Sequence, residues 1–213
     1  MTPEPRLTSE HLRASVQGTL DEFLAEQAQI LAGISPDLVP FTAWLGELLA
    51  GGKRLRPAFC MWGYLGAGGA DLDHALHAAA SLELLQACAL VHDDVMDEAE
   101  IRRGQPTLAS KWGNDIAVLF GDCLFAQALT LAASFPTPDI CRAVAMATNT
   151  VCTGEILQTK NCYRFDLARA EYLRILKMKT GVLFALACDR HERLLCIKAD
   201  AATKEEFVWG FRC

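Results

Sequence analysis

The chain has 213 residues, of which 52% are hydrophobic and 22% charged, with a formal net charge of −6. It is too apolar for a disordered chain and rich enough in apolar residues for a real core. The acidic balance argues against a general nucleic-acid binder, yet leaves room for a local basic pocket that takes a phosphorylated small molecule. Nine cysteines form no CxxC pair and no Cys/His metal spacing, so they read as free thiols of a reducing, cytoplasmic setting. The N-terminal MTPEPRLTSE lacks the apolar core of a signal peptide. No apolar stretch is expected to reach the roughly 18 residues that cross a bilayer.

Helical spacing runs through almost the whole chain, and no stretch alternates with period two. Residues 9–33 predict an amphipathic helix on Leu12, Val16, Leu20, Phe23, Leu24 and Leu31. Pro36 and Pro40 punctuate the connection to a second helix over 41–50, which Gly51 and Gly52 end. A third helix is expected over 53–66. Asp71 or Asp73 caps a long helix to about residue 98, whose middle, LHAAASLELLQACALV, is apolar nearly all round and therefore buried on most sides. A loop over 102–107 follows. Further helices are expected from Asn114 or Asp115 to about 134, from Thr137-Pro138 to about 159, and from Asp166 to about 190. Residues 201–213 read as a helix barely begun. The chain reads as one all-α domain over 1–213.

Four charge clusters carry chemistry. Asp93, Asp94 and Asp97 stand in HDDVMDEAEIRRG at the end of the apolar helix, with Asp93 and Asp97 one turn apart. Crowded carboxylates repel one another and lose solvation, which a hard divalent cation such as Mg²⁺ relieves. Taken alone, the run also suits a solvated acidic helix end. In GGKRLRP, Lys53 and Arg56 are three apart and can face one way at a helix start, where backbone N–H groups favour anions. Arg102 and Arg103 follow the acids. Lys179 and Thr180 precede an apolar run, where a lysine needs a partner or must reach for solvent. Together these clusters supply cations for phosphate oxygens and carboxylates for metal ions.

In this order and spacing, GGKRLRP, LLQACALVHDDVMD, EIRRGQPT, WGNDIAVLFGDCLFAQAL, TGEILQ and LKMKTGVLFALAC resemble the trans-isoprenyl diphosphate synthases, the farnesyl, geranylgeranyl and polyprenyl group. The likeness covers about residues 45–190. It implies a bundle of mostly antiparallel helices around a central cavity, and a homodimer or a heterodimer with a complete synthase. The reaction implied is Mg²⁺-dependent condensation of isopentenyl diphosphate with an allylic diphosphate. The resemblance assigns Asp93, Asp94 and Asp97 to Mg²⁺, and Arg102 and Lys179 to the allylic diphosphate with Gln158 and Thr180 beside them. Lys53, Arg56 and Arg103 fall to isopentenyl diphosphate. Gln86, where the family usually carries histidine, joins them. Cys88 and Ala89 stand one turn before Asp93, where a bulky aromatic stops elongation in the family. Both are small, so a product of geranylgeranyl length or longer is expected.

One departure is large. The family carries a second Asp-rich motif on a later helix, and after Thr180 only Asp189 and Asp200 remain. The C-terminal helices are thus expected to be missing, and turnover by the chain alone is expected to be poor. The alternative reading is a non-catalytic helical partner of an active synthase. A terpene cyclase is a third, against which GGKRLRP and RRGQPT speak.

Overall fold

The computed structural model describes residues 8–50, 52–135 and 138–189. The stretch 201–213 and the cap at Thr137 lie outside them. The described residues form α1 (Ser9–Ile34), a 3₁₀ turn (Pro36–Leu38), α2 (Val39–Ala50), α3 (Leu55–Gly66) and α4 (Leu72–Met96). A two-stranded hairpin follows, β1 (Ile101–Arg102) with β2 (Gln105–Pro106). Then come α5 (Leu108–Trp112), α6 (Asn114–Ala133), α7 (Asp139–Lys160), α8 (Arg169–Leu176), a π-helical turn (Lys177–Gly181) and α9 (Val182–Asp189).

The centre is α4, which touches α1, α2, α3, α5, α6, α7 and α9. Its alanines make this possible, because Ala75, Ala78, Ala79, Ala80 and Ala87 are buried and let neighbours approach. Opposite them, α6 presents Ala117, Gly121, Leu124, Ala128 and Ala132 at helical spacing, all buried. A Cβ at Gly121 would run into the ring of His92, whose Nε2 lies 3.1 Å from the Val118 carbonyl. Ser81 on α4 donates to the Ala128 carbonyl at 2.8 Å. On the other flank, Leu12, Val16 and Leu20 of α1 are fully buried one helical turn apart. Each such side chain contributes about 1.5–3 kcal/mol by leaving water.

Local structure departs from the sequence expectation at four places. Residues 101–106 form a hairpin rather than a loop. Its turn residues Arg103 (φ 51°) and Gly104 (φ 80°) both have positive φ, as a two-residue type I′ turn demands. The third helix begins at Leu55, not residue 53, because Arg54 takes the left-handed conformation. There its guanidinium, buried at 6% exposure, donates to Glu83 and Gln17 at 2.6 Å each and fastens the start of α3 to α4 and α1. Asp166 caps no helix; it pairs with Arg164 at 2.9 Å on an exposed loop, and α8 starts three residues later. Finally, Ala75–Met96 and Asn114–Ala133 are long and apolar enough to cross a bilayer by length and composition, against the expectation from sequence. For α4 that hydropathy belongs to a core helix, since 61% of its most apolar window is buried inside the protein; for α6 the share is 28%.

Candidate functional site

Successive residues on a helix point about 100° apart, and this separates the two adjacent aspartates. Asp93 lines a cavity of about 710 Å³ between α4, α6, α7 and α9. Asp94 lines a different pocket, of about 500 Å³, beside the hairpin and α5. Arg102 on β1 reaches back to Asp94, placing Nε and Nη2 each 2.7 Å from its Oδ1. Thr107 fixes the hairpin in that position. Its hydroxyl donates to the Ala99 carbonyl at 2.7 Å and accepts from the Ser110 amide at 3.1 Å, capping α5. Burial holds the Asp94 carboxyl above its ordinary pKa, with Arg102 opposing.

Asp93 has a different partner. Its Oδ2 lies 3.9 Å from Lys179 Nζ, and that ammonium is 2.5 Å from Glu155 Oε2 on α7. Burial raises the Asp93 carboxyl, Lys179 opposes, and the neighbouring charges of Glu155 and Asp97 raise it further. Asp97 is exposed just past the end of α4, its amide donating to the Asp93 carbonyl at 2.8 Å. The expected set of three carboxylates is therefore not assembled: Asp94 is held by Arg102 on a separate face. Among the described residues, no three His, Cys, Asp or Glu side chains stand close enough to hold a metal ion.

Lys179 owes its place to the π turn and to Gly154. A π turn carries one more residue per turn than an α-helix and recurs at functional sites. Here α7 passes so close that a Cβ on Gly154 would lie 2.9 Å from the Lys179 amide nitrogen and 2.9 Å from Met178 Cβ. Gln158, one turn along α7, donates to Glu155 Oε1 at 3.2 Å. Thr180 is exposed on the π turn. Glu155 is a residue that the sequence reading missed, although it sits inside TGEILQ beside Gln158.

The remaining basic residues form a second group. Arg103, at the hairpin tip, folds back over the GGKR loop: a Cβ on Gly52 would stand 3.4 Å from its Nη1 and 3.5 Å from its Nη2. Lys53, next to Gly52, is exposed and precedes the helix instead of lying on it. Arg56, on α3, places its guanidinium 4.7 Å from the centre of the Phe184 ring on α9. Burial pulls it below its ordinary pKa, with Glu83 opposing, and its Nε is buried without a hydrogen-bond partner. Gln86 is half-buried on α4, seven residues or about 10 Å before Asp93.

Away from Asp93 and Glu155 the 710 Å³ cavity is walled largely by apolar groups. Cys88 and Ala89 line it one turn below Asp93, with Leu85 a turn deeper and Phe125, Val151 and Leu183 on the facing helices. Burial pushes the Cys88 thiol up to about 12, so it is a neutral wall group. Charged groups beside a largely apolar cavity suit an amphiphile with an anionic head and a hydrocarbon tail.

Residues 41–208 match the protein family described as polyprenyl synthetase. The chain is 39% identical over 181 residues to heptaprenyl diphosphate synthase component 2 of Geobacillus stearothermophilus, covering 84% of this chain and 56% of that protein. It is 34% identical over 176 residues to an all-trans-nonaprenyl-diphosphate synthase of Rhodobacter capsulatus, with coverages of 83% and 51%. The chain spans about half the length of these curated relatives. Among solved structures, it superposes with a TM-score of 0.79 on a geranylgeranyl pyrophosphate synthetase from the archaeon Geoglobus acetivorans, at 30% identity over 95% of this chain and 64% of that one. A polyprenyl synthase from Caulobacter crescentus, solved with calcium and isoprenyl diphosphate, matches with a TM-score of 0.70 at 30% identity over 90% of this chain and 58% of that one.

Proposed function

The chain belongs to the polyprenyl synthetase family, and from that premise we propose that it carries the diphosphate sites of a prenyltransferase joining isopentenyl diphosphate to an allylic diphosphate. The observation that carries this reading is that Asp93 and Glu155 line a largely apolar cavity of about 710 Å³ while Lys179 reaches both of them. The allylic diphosphate lies there, against Lys179, Arg102, Gln158 and Thr180. Its hydrocarbon tail runs down past Ala89 and Cys88. Isopentenyl diphosphate is held by Lys53, Arg56 and Arg103, with Gln86 beside them.

The carboxylate oxygens are the hard donors Mg²⁺ takes, although the side chains are not drawn together as a three-carboxylate set: Asp93 feels the charges of Glu155 and Asp97, with Lys179 as the nearby cation, and a divalent ion relieves that repulsion. Asp93 and Asp97 would hold the ion, and Asp94 would join once released by Arg102. When bound, Mg²⁺ supplies charge neutralisation for the departing diphosphate. The chain's own part is positioning and electrostatics. Lys179 and Arg102 stabilise the negative charge that grows as the allylic C–O bond breaks. Walls built from Cys88, Ala89 and Val151 keep water from the resulting cation. The isopentenyl double bond attacks that cation, and the proton then lost goes to the released diphosphate. Two small residues beneath Asp93 favour a product of geranylgeranyl length or longer.

A second reading is favoured by the relative from Geobacillus stearothermophilus being component 2 of its synthase. In it, the chain works as one part of a heteromeric synthase, binding diphosphates at the same site. Incorporation of labelled isopentenyl diphosphate onto farnesyl diphosphate by the purified chain, with and without Mg²⁺, tests the main reading. Mg²⁺-dependent elongated product supports it; no product with Mg²⁺ present refutes it.

A further inference from the structure

Glu155 lines the cavity beside Asp93 and pairs with Lys179. Its Oε1 accepts from the Gln158 amide at 3.2 Å, and Oε2 forms an ion pair with the Lys179 ammonium at 2.5 Å without hydrogen-bond geometry. The carboxylate is well buried, with its side chain 12% exposed. Gly154 beside it lets α7 touch the π turn backbone to backbone, so the Glu155–Lys179 distance is set by rigid elements. Resting on the allylic-site reading above, we infer that Glu155 is a positioning residue: it ties Gln158 and Lys179 into one unit and aims the ammonium at the diphosphate head.

The chemistry of the ammonium supports this. Lysine has three N–H donors. The ion pair with Glu155 anchors the ammonium, and Asp93, at 3.9 Å, is beyond hydrogen-bond distance, so donors remain for phosphate oxygens. Without Glu155, a four-carbon stem would carry the ammonium among many rotamers, and ordering it would fall to the ligand. Charge alone predicts the opposite sign. A carboxylate near a bound anion repels it, so its removal would tighten anion binding if Glu155 did nothing else.

That difference in sign is the test. Inorganic pyrophosphate, free of added metal, is titrated calorimetrically into the purified chain and into Glu155→Leu, Glu155→Gln and Glu155→Asp. Glu155→Leu is expected to weaken binding by about ten- to hundredfold, the range for a lost charge-assisted hydrogen bond. Glu155→Gln, which keeps an acceptor oxygen at the same reach, is expected within about threefold of wild type. Glu155→Asp keeps the charge but withdraws it by one methylene; it covers the case in which Glu155→Leu does not fold, and a weakening of about three- to tenfold is expected. Unchanged or tighter binding by Glu155→Leu or Glu155→Asp overturns the inference, as does Glu155→Gln binding as weakly as Glu155→Leu. Absence of pyrophosphate binding by the wild type instead refutes the diphosphate site itself, and the inference with it.

Discussion

Replacing Gly154 by alanine probes how tightly Lys179 is held. Two effects of opposite sign compete. Alanine at a helix interior is better than glycine by about 1 kcal/mol. Against this, the new Cβ would stand 2.9 Å from both the Lys179 amide nitrogen and Met178 Cβ, and one of these atoms is backbone. Neither can give way as the tip of a flexible side chain could. The π turn must therefore move by several tenths of an ångström, an overpacking cost of about 1–3 kcal/mol. The sum is a loss of about 0–2 kcal/mol, or up to about 4–8 °C in Tm for a chain of this size. Gly18 is the internal control: it is exposed in α1 with nothing within 4 Å of its added Cβ, so Gly18→Ala should gain the full ~1 kcal/mol. Displacement of the π turn also moves Lys179 off Glu155, so pyrophosphate affinity should fall about tenfold or more in Gly154→Ala and stay unchanged in Gly18→Ala. Thermal melts and calorimetry read the two quantities. A Gly154→Ala protein as stable as Gly18→Ala, with wild-type affinity, would refute the close-approach argument.

Asp93→Asn should raise the Tm of the ligand-free protein while abolishing Mg²⁺-dependent binding. The folded-state Asp93 carboxyl lies above its unfolded value. Its favourable contribution is therefore present at low pH and lost as pH rises through that raised pKa, and asparagine removes this loss at neutral pH. A melt at pH 7 showing a lower Tm for Asp93→Asn contradicts this. Arg54→Leu leaves the half-buried Glu83 without its 2.6 Å partner and should cost about 3–5 kcal/mol in urea unfolding, whereas a loss under 1 kcal/mol would show that the brace is dispensable. In the same product assay, Cys88→Phe or Ala89→Phe should shorten the product to about farnesyl length, while Phe125→Ala should lengthen it; chromatography showing unchanged chain length in active variants refutes the cavity-wall argument.

Much of the architecture is legible in the sequence because the helices are long and strongly patterned. The apolar run 78–91 could only be a buried helix, and α4 is the element around which the others pack. The hairpin is invisible to periodicity, since strands of two residues have no pattern to show; only the Arg103-Gly104 pair marks its turn. Arg54 could not be told from its basic neighbours, because its burial depends on Gln17 and Glu83, which are distant in sequence. The π turn over KMKTG carries no local signal either, and its existence follows from the close passage at Gly154. The family resemblance put Asp93 and Lys179 at one site, yet nothing in it showed that Asp94 would turn to Arg102 while Asp93 faced the cavity. Glu155 was legible in principle: it stands three residues before Gln158, and a lysine in an apolar run needs a carboxylate.

An anionic head at Asp93 and Lys179 with its hydrocarbon tail in the cavity behind is open to direct calorimetric titration with a non-hydrolysable farnesyl thiodiphosphate, with and without Mg²⁺. Saturable binding is expected that strengthens with Mg²⁺, exceeds that of inorganic pyrophosphate, and is lost in both Asp93→Ala and Lys179→Ala. Binding that is indifferent to Mg²⁺ and unchanged in those two variants would contradict it.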